Sequence, residues 1–239
     1  GKCVKKIKPK NLWELSCSLA ISRPGASSFL DQFCDYVHNG IKIKINPLID
    51  NVLERTGGVC LFQEQVLKML NNLGMDLENC EAIRKAIGKK DRYAIKESKQ
   101  KIYDVCSKNN HSIELANLIW KIVNDSSGYQ FCLSHSLAYA SLSAATIYLK
   151  INYPKEFYLS LLNMTKNEQD YVKILSYINF ELKKNNLSLL PPHILRSNIE
   201  FKIENNGIRF GLGAIKGISD KAIEKLQNFK TNYSSKFDI

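Results

Sequence analysis

The stretch "LFQEQVLKMLNNLG", residues 61–74, decides the fold class of this chain because it has clear helical periodicity and a defined end. Its apolar residues recur at helical spacing: Phe62, Val66, Leu70 and Leu73. Gly74 follows them and is typical of a residue that ends a helix. The stretch predicts one amphipathic helix, and similar segments on both sides extend the pattern along the chain.

Upstream of residue 61 the sequence predicts two further helices. Residues 11–22 have apolar side chains at helical spacing, and the Pro-Gly pair within residues 23–28 breaks that helix. A second helix runs to Gly40, which follows its last turn. Residues 1–10, "GKCVKKIKPK", carry five lysines and no acid, and we predict a strand or a tail edge there.

Helices also follow one another downstream, and four residues mark their ends. Asp76 is suited to cap the start of the next helix, and Gly88 is suited to cap its end. Ser112 is suited to cap the start of a later helix. A long helix rich in Ala and Ser ends before Pro154, which can serve as the first residue of the helix after it.

The spacing of the apolar residues changes near the C-terminus. There "FKIENNGIRFGLG", residues 201–213, alternates apolar and polar side chains around an Asn-Gly pair, which predicts a β-hairpin. A final helix begins near Ser219. We therefore predict a mostly α fold, in which a multi-helix domain precedes a small C-terminal β-hairpin. The predicted domains are a helical domain over residues 1–190 and a hairpin-bearing module over residues 191–239.

The net charge is the first indication of a partner. The chain has 34 Lys and Arg residues against 23 Asp and Glu residues, a formal charge of +11. A surplus of this size favours a polyanionic partner, with nucleic acid first and an acidic membrane surface second. No apolar run is long enough to span a bilayer, so we expect no membrane-spanning segment.

The seven cysteines indicate a reducing compartment. They are spread widely and no two form a Cys-x-x-Cys pair, so neither a zinc ribbon nor a disulfide framework is predicted. We predict reduced, mostly buried thiols in a cytoplasmic protein. The chain opens on Gly rather than Met and shows no signal peptide, and we expect it to be a piece of something longer.

The stretch "EAIRKAIGKKDR", residues 81–92, places a basic face opposite an apolar one. Residues 83–101 carry eight cations against two acids. Such a face gains few internal ion pairs, and its self-repulsion favours a bound anion such as a triphosphate or a nucleic-acid backbone. The alternative is an ordinary solvated helix face.

The stretch "FCLSHSLAYA", residues 131–140, places the hydroxyls of Ser134 and Ser136 beside His135 at the start of a predicted helix. Free amides at a helix N-terminus attract anions, so this is a candidate anion site. One alternative is a helix cap next to a core histidine. The other is half a metal site formed by Cys132 and His135, for which no second ligand pair lies nearby in the sequence.

The stretch "IKGISDKA", residues 215–222, has the pattern of the turn of a helix-hairpin-helix element. Such turns present backbone amides to DNA phosphates without reading the bases. The pattern therefore adds the start of a helix-hairpin-helix element to the predicted second module.

Paired carboxylates of the kind that bind two Mg²⁺ ions are missing from the sequence. Two-metal phosphoryl transfer needs such a pair, and the chain contains no Asp-x-Asp. The nearest candidate, Asp76-Leu77-Glu78, is typical of the acidic first turn of a helix. We therefore predict no complete two-metal site and no bound cofactor in this chain.

Seven motifs occur in order and at familiar distances along the chain. They are "SLAISRPGAS", "FQEQVLKML", "AIRKAIGKKD", "GYQFCLSHSLAYA", "LKINYPKEFYLSLLN", "LPPHI" and "IRFGLGAIKGI". With these motifs the chain closely resembles the fingers region of bacterial replicative DNA polymerase III alpha subunits, from about residue 5 to about residue 228. Each motif alone is weak, whereas the seven in order are highly specific.

The resemblance implies a fragment of a DNA-directed DNA polymerase that binds the incoming dNTP and template–primer DNA during replication. The family's palm, with the catalytic aspartates and Mg²⁺, would lie upstream on the same or a separate chain, so this chain alone would not polymerise. Clamp-binding and OB-type parts would lie downstream. Two alternatives stay open: a stand-alone, non-specific DNA-binding protein derived from a polymerase, and an inactive fragment.

The resemblance also implies roles for individual residues. The implied dNTP-binding residues are Arg84, Lys85, Ser134 and His135. The implied DNA-binding residues are Arg23, Lys89, Lys90, Arg92, Lys216, Gly217 and Ser219. The residues that match motif positions near the palm–fingers junction are Arg23, Gln63, Glu64 and Gln65. The resemblance implies no catalytic residue and no metal ligand within the chain.

The chain departs from the family pattern at four places. Arg84-Lys85 replaces the two arginines that are usual in the family, and lysine keeps the charge but loses bidentate geometry. Residues 131–136 replace the family's Phe-Asn-Lys-Ser-His-Ser with Phe-Cys-Leu-Ser-His-Ser, which removes a polar contact and a cation. Ala26 replaces a proline, and Ser219 replaces the hairpin's second glycine at a position where Gly is the easy choice.

Overall fold

The computed structural model describes residues 1–89, 92–126, 131–166, 168–205, 207–219, 221–223 and 225 of the chain. The protein is mostly α-helical, with a small β-sheet after the helical region, as the sequence predicts. It divides into two compact units, Gly1–Ala144 (unit 1) and Ala145–Ile239 (unit 2). The predicted domain boundary between residues 190 and 191 stays a prediction. Across the described ranges, no helix is both long and apolar enough to cross a membrane.

Unit 1 is built from helices. They are α1 Lys2–Ile7, α2 Leu12–Ile21, α3 Leu30–Asn39, α4 Pro47–Leu53, α5 Gln63–Asn72, α6 Leu77–Lys89, α7 Arg92–Lys108, α8 Ile113–Ser126 and the first part of α9 Leu133–Asn152. Two short 3-10 helices separate α2 from α3 and α4 from α5: Pro24–Phe29 and Glu54–Thr56.

Helix α5 ends where its sequence predicts. Val66 and Leu70 of the apolar stripe are fully buried. Gly74 follows the end of the helix with φ of +93°, a left-handed conformation that Gly adopts without strain. The apolar face of α5 belongs to a core that α4 to α8 share, which includes Ile49, Val66, Leu70, Ile83, Ile102 and Ile119.

A second core joins α1, α2 and α3 to the segment before α5. It includes Ile7, Cys17, Ile21, Phe33, Leu61 and Phe62. The predicted strand or tail edge over residues 1–10 is wrong, because α1 is a helix with Ile7 fully buried. Burying one Ile side chain contributes about 1.5–3 kcal/mol, whereas a like-charge pair on one helix face costs only about 0.2–0.5 kcal/mol. Burial therefore outweighs the repulsion between the lysines of α1.

The helix caps are confirmed at two of three predicted places. Asp76 Oδ1 accepts a hydrogen bond from the amide three residues later at 2.8 Å. Ser112 Oγ accepts one from the Leu115 amide at 3.3 Å. The predicted end of α6 at Gly88 is wrong, because the helix continues to Lys89. Gly88 does not adopt the positive φ that a left-handed cap requires.

Unit 2 combines helices with a three-stranded sheet. Its elements are the end of α9, α10 Pro154–Thr165, α11 Tyr171–Lys184, β1 Ser188–Leu190, β2 Lys202–Glu204, β3 Gly207–Arg209 and a 3-10 turn at Leu212–Ala214. Helix α9 ends two residues before Pro154, and Pro154 begins α10, as predicted. The core of unit 2 includes Tyr158, Leu162, Ile178, Leu182, Phe201 and Ile208.

The sheet has the strand order β1-β3-β2. Strands β2 and β3 are antiparallel, with Ile203 opposite Ile208, which confirms the predicted hairpin. Asn206 of the predicted turn lies outside the described residues. Strand β1 pairs with β3 in parallel and is an addition to the prediction, because three residues are too few to show an alternating pattern.

The cysteines are free, as the sequence predicts. Five of the seven thiols are buried, and Cys3 and Cys132 are half-buried. Burial raises the pKa of the Cys60 thiol to about 12 and that of the Cys80 thiol to about 11. These thiols therefore remain protonated and act as small apolar side chains of the core.

A charged cluster connects α9, α10 and α11 within unit 2. Lys150 and Lys184 both contact the Glu181 carboxylate, each with an N–O distance of 2.7 Å. The Tyr158 hydroxyl donates a hydrogen bond to the same carboxylate at 3.2 Å. The hydrogen bonds from Lys150 and Lys184 lower the pKa of Glu181 to about 2.

We expect the Glu181→Gln variant to be less stable than the parent near pH 7, and we expect this difference to disappear below pH 2. A carboxylate with a lowered pKa in the folded chain contributes stability above its ordinary pKa of 4.5, and this contribution is lost as the pH falls through about 2. Urea unfolding midpoints across this pH range test the prediction. Glu156→Gln, which removes an exposed carboxylate from α10, is the control. A stability difference that persists in strong acid would contradict the prediction.

Candidate functional site

The segments that precede α5 and α9 run side by side. Phe62 and Phe131 form a parallel β-bridge. The Phe131 amide donates a hydrogen bond to the Leu61 carbonyl at 3.2 Å, and its carbonyl accepts one from the Gln63 amide at 2.9 Å. Two motifs that are far apart in the sequence therefore begin their helices at one place. We call this place the α5–α9 corner: residues 61–65 and 131–135.

Gln65 gives the α5–α9 corner its shape. Its Oε1 accepts hydrogen bonds from the amides of Leu61 and Phe62 at 2.8 and 3.0 Å. Its Nε2 donates to Thr56 Oγ1 at 2.9 Å. Because the side chain is buried and its polar atoms are bonded inside the protein, Gln65 positions the backbone.

Glu64 caps the start of α9. Both of its carboxylate oxygens accept a hydrogen bond from the Leu133 amide, at 3.0 and 2.9 Å. The Cys132 thiol donates to Oε1 of the same carboxylate at 3.6 Å. A carboxylate at this position is stabilised by the helix dipole. Helices α5 and α9 are thus connected in two ways: by the Glu64 carboxylate at the start of α9 and by the backbone pairing of Phe131.

The prediction of a free anion site with two hydroxyls at this helix start is wrong in part. The Glu64 carboxylate already accepts a hydrogen bond from the first amide of α9, so a side chain of the protein takes the place of an external anion there. Ser136 is fully buried, and its hydroxyl donates a hydrogen bond to the Ser16 carbonyl at 2.8 Å. Ser134 is exposed, with its Oγ 3.1 Å from the Cys132 thiol, and it is the hydroxyl that a ligand can reach.

Arg84 on α6 reaches the α5–α9 corner. Its Nη1 donates a hydrogen bond to Gln63 Oε1 at 3.2 Å. Its Nε and Nη2 donate to the two carboxylate oxygens of Glu81 at 2.8 and 2.6 Å. The hydrogen bond with Arg84 lowers the pKa of Glu81, and the same bond raises the pKa of Arg84. The half-buried guanidinium of Arg84 is therefore fixed beside Gln63, which directly precedes Glu64.

The predicted basic face of α6 is partly paired. Lys85 Nζ lies 3.7 Å from Glu81 Oε1, and its side chain is 61% exposed. Glu81 therefore offsets both Arg84 and Lys85, which corrects the expectation that this face gains few internal ion pairs. Lys89 is exposed at the end of α6. Lys90 and the side chain of Arg92 lie outside the described part of the chain.

A row of aromatic side chains follows the first turns of α9. The His135 ring lies 5.3 Å from the Phe131 ring, edge-on, and 4.4 Å from the Tyr139 ring, between centroids. The Arg23 guanidinium lies 3.9 Å from the centroid of the Phe131 ring, in a cation–π contact. Because His135 is exposed, the alternative of a core histidine is wrong. This row of rings lies next to the α5–α9 corner and offers a surface that a flat ligand can contact.

The predicted residues therefore separate into two groups. Arg23, Arg84, Ser134 and His135 are all connected to the α5–α9 corner in unit 1, with Lys85 next to Arg84. The residues of the helix-hairpin-helix turn lie in unit 2: Lys216, Gly217 and Ser219. In the described ranges, no group of three or more His, Cys, Asp or Glu side chains is arranged to hold a metal ion. The Cys132–His135 half-site accordingly gains no third ligand there.

The predicted helix-hairpin-helix turn contains a glycine in the left-handed conformation. Gly217 has φ of +92°, and Lys216 beside it is exposed. Ser219 Oγ accepts a hydrogen bond from the Ala222 amide at 3.3 Å, and its carbonyl accepts one from the Ile223 amide at 3.0 Å. Ser219 thus caps the helix that we expect to begin there. It does not adopt a positive φ, so its replacement of a glycine introduces no strain.

Two features of the site are absent from the sequence interpretation. One is Glu81, whose three-residue spacing from Arg84 is a signal for a helical ion pair. The other is the bond between Glu64 and the start of α9, which joins residues distant in the sequence and has no local signal. The two groups are the carboxylates of Glu81 and Glu64. Each lies at a place where the sequence predicts that an external anion would bind.

Comparison with known proteins relates this geometry to a family. Residues 1–110 match the family described as the bacterial DNA polymerase III alpha subunit finger domain, and residues 186–239 match the helix-hairpin-helix motif. The chain is 38% identical to the DNA polymerase III subunit alpha of Campylobacter jejuni over 230 residues, which cover 92% of this chain and 19% of that protein. It is 36% identical to the corresponding subunit of Mycoplasma genitalium, over 95% of this chain and 26% of that protein. The chain therefore spans about a fifth to a quarter of the length of these relatives.

We expect the Glu64→Ala variant to lose about 1 kcal/mol of unfolding free energy, because the Leu133 amide loses its cap. Glu64→Gln keeps an oxygen acceptor and should lose less. Urea unfolding at neutral pH measures both changes. Glu97→Ala, which removes an exposed carboxylate from the middle of α7, is the control. Equal stability of Glu64→Ala and the parent would show that the cap contributes nothing.

Proposed function

Because the chain belongs to the family of bacterial DNA polymerase III alpha subunits, of which it matches the finger region, we propose that it binds the incoming dNTP and template–primer DNA for a replicative DNA polymerase. A palm domain, on the same or a separate chain, would carry out nucleotidyl transfer with it. This chain by itself would not polymerise.

The position of Arg84 is the observation that carries the proposal. Its guanidinium is bonded to Gln63, and the next residue, Glu64, caps α9. A cation is thus fixed close to the turn that presents Ser134 and His135. A planar guanidinium has paired donors that match phosphate oxygens. Lys85, exposed on the same helix, supplies a second cation for a triphosphate.

The first turns of α9 would hold the nucleoside part of the ligand. His135 and Tyr139 are both exposed, and their rings offer aromatic surface on which a base can stack. The Ser134 hydroxyl can donate or accept a hydrogen bond. In this arrangement the cations of α6 hold the phosphates, and α9 holds the sugar and the base.

Metal-dependent chemistry belongs to the palm in this proposal. When bound there, Mg²⁺ would activate the attacking hydroxyl and stabilise the transferred phosphate. Within this chain, Arg84 and Lys85 bind and orient the triphosphate. No step of the proposal uses a metal ion held by this chain.

Template–primer DNA would contact exposed cations and the helix-hairpin-helix turn. Lys216 and Gly217 are exposed in unit 2, where they can reach backbone phosphates. The further DNA-binding residues that we propose are Arg23, Lys89, Lys90 and Arg92. The formal charge of +11 supports long-range attraction to DNA.

We expect the Arg84→Ala/Lys85→Ala variant to bind dNTP at least about tenfold more weakly than the parent, because hydrogen bonds to charged groups contribute about 1.5–3 kcal/mol each. Its affinity for template–primer DNA should change much less. Titration of the full chain with a fluorescent dNTP and with labelled DNA measures the two affinities. Lys99→Ala/Lys108→Ala, which removes two exposed cations from α7, is the matched control. Unchanged dNTP binding by the Arg84/Lys85 variant would refute the phosphate-holding role.

We expect the Lys216→Ala variant to bind template–primer DNA with a weaker salt dependence. Each phosphate contact contributes about 0.9 to the slope of log K against log salt concentration, so losing one contact should reduce the slope by about 0.9. Binding isotherms at several salt concentrations measure the slope. Lys173→Ala removes an exposed lysine of α11 that pairs with Asp170, and it should leave the slope unchanged. Equal slopes for Lys216→Ala and the parent would exclude a phosphate contact by Lys216.

A second candidate function is a stand-alone, non-specific DNA-binding protein derived from a polymerase. The Cys132-Leu133 pair favours it, because these residues replace an Asn and a Lys at the start of α9. The parent chain distinguishes the two functions in the same titrations. Binding of both ligands supports the polymerase role, and binding of DNA without dNTP supports the second function. Binding of neither ligand identifies an inactive fragment.

A further inference from the structure

Arg84 has an internal anionic partner in the structure. A guanidinium has five N–H donors. Nε and Nη2 bond to the two oxygens of Glu81, and Nη1 bonds to Gln63. The Glu81 carboxylate therefore occupies one complete two-donor edge of the guanidinium, and the Gln63 amide oxygen accepts from a further donor.

A phosphate group can use the same edge, Nε and Nη2. Carboxylates and phosphates both bind arginine through two parallel N–H···O bonds. Two anions cannot occupy one edge at the same time. A triphosphate that binds Arg84 through Nε and Nη2 must therefore displace the Glu81 carboxylate.

Glu81 is placed so that displacement is possible. Its side chain is 37% exposed, so the released carboxylate can be hydrated. Lys85 Nζ lies 3.7 Å from one of its oxygens, and the Lys85 side chain is 61% exposed, so this second cation of α6 can also turn to the ligand. An ion pair that water can reach contributes little to stability. A ligand that carries several negative charges can exceed that contribution through the two cations of α6.

We propose that Glu81 is a positioning residue of the dNTP site, which holds Arg84 against Gln63 in the unliganded chain and is displaced by the triphosphate. The inference rests on the proposed function. Glu81 has two opposing effects: it keeps the guanidinium oriented towards the α5–α9 corner, and it lowers the affinity for phosphate by competing with it.

The first test measures affinity with inorganic tripolyphosphate and with dNTP as separate probes. We expect Glu81→Gln to bind both about twofold to fivefold more tightly than the parent, because the competing carboxylate is gone. Glu81→Asp keeps the charge and should return the affinity towards the parent value. Glu78→Gln removes an exposed carboxylate from the first turn of the same helix, and it should tighten binding less than Glu81→Gln.

The second test observes the guanidinium itself. The NMR signal of the Arg84 Nε–H group can be identified by its absence from the Arg84→Ala spectrum. We expect tripolyphosphate to shift this signal in the parent, and we expect Glu81→Gln to shift it before any ligand is added. A parent chain that binds tripolyphosphate while the Arg84 signal stays in place would overturn the proposal, as would Glu81→Gln binding no tighter than the parent.

Failure of this inference is distinguishable from failure of the proposed function. If the parent chain binds neither tripolyphosphate nor dNTP, the proposed function fails. If Arg84→Ala weakens binding while Glu81→Gln does not strengthen it, the proposed function remains and only the role of Glu81 is refuted.

Discussion

The backbone pairing of Phe131 with Leu61 and Gln63 is the interaction on which the candidate site depends. It aligns the starts of α5 and α9, and only then can Glu64 reach the first amide of α9. The same alignment directs the Gln63 side chain to Arg84 of α6. Three helices are thus connected through a few atoms, whereas their apolar faces belong to larger cores. The cores stabilise unit 1, and the pairing positions the site within it.

A few acidic residues organise the charge of this basic chain. Glu64, Glu81 and Glu181 each accept from more than one donor, and each joins groups that the fold brings together. Exposed cations such as Lys89 and Lys216 contribute to the surplus of positive charge. A charge at the surface attracts a polyanion over a distance, whereas a charge held by a carboxylate acts mainly at contact. The exposed cations therefore promote association with a polyanion, and the cations held by a carboxylate position a ligand at contact.

The parts of the fold with local signals could be predicted from the sequence. The apolar stripe of α5, the start of α10 at Pro154 and the β2–β3 hairpin all follow from residues within a few positions of one another. Strand β1 and the cap on α9 could not be predicted, because each depends on a partner distant in the sequence. Helix α1 could not be predicted either, because its lysines give no helical signal and its stability comes from Ile7 and its tertiary contacts. The Glu81–Arg84 pair is local, but a charge count that begins at residue 83 leaves Glu81 out.

The distribution of thiols gives the chain a natural labelling scheme. Five cysteines are buried among apolar side chains, where a reagent reaches them only after the surrounding helices open. Cys3 and Cys132 are half-buried and lie at different places, one on α1 and the other at the start of α9. A Cys3→Ser chain would thus carry one accessible thiol, next to Ser134. A fluorophore attached there would report on the α5–α9 corner directly, and reaction of the other five thiols would report on unfolding.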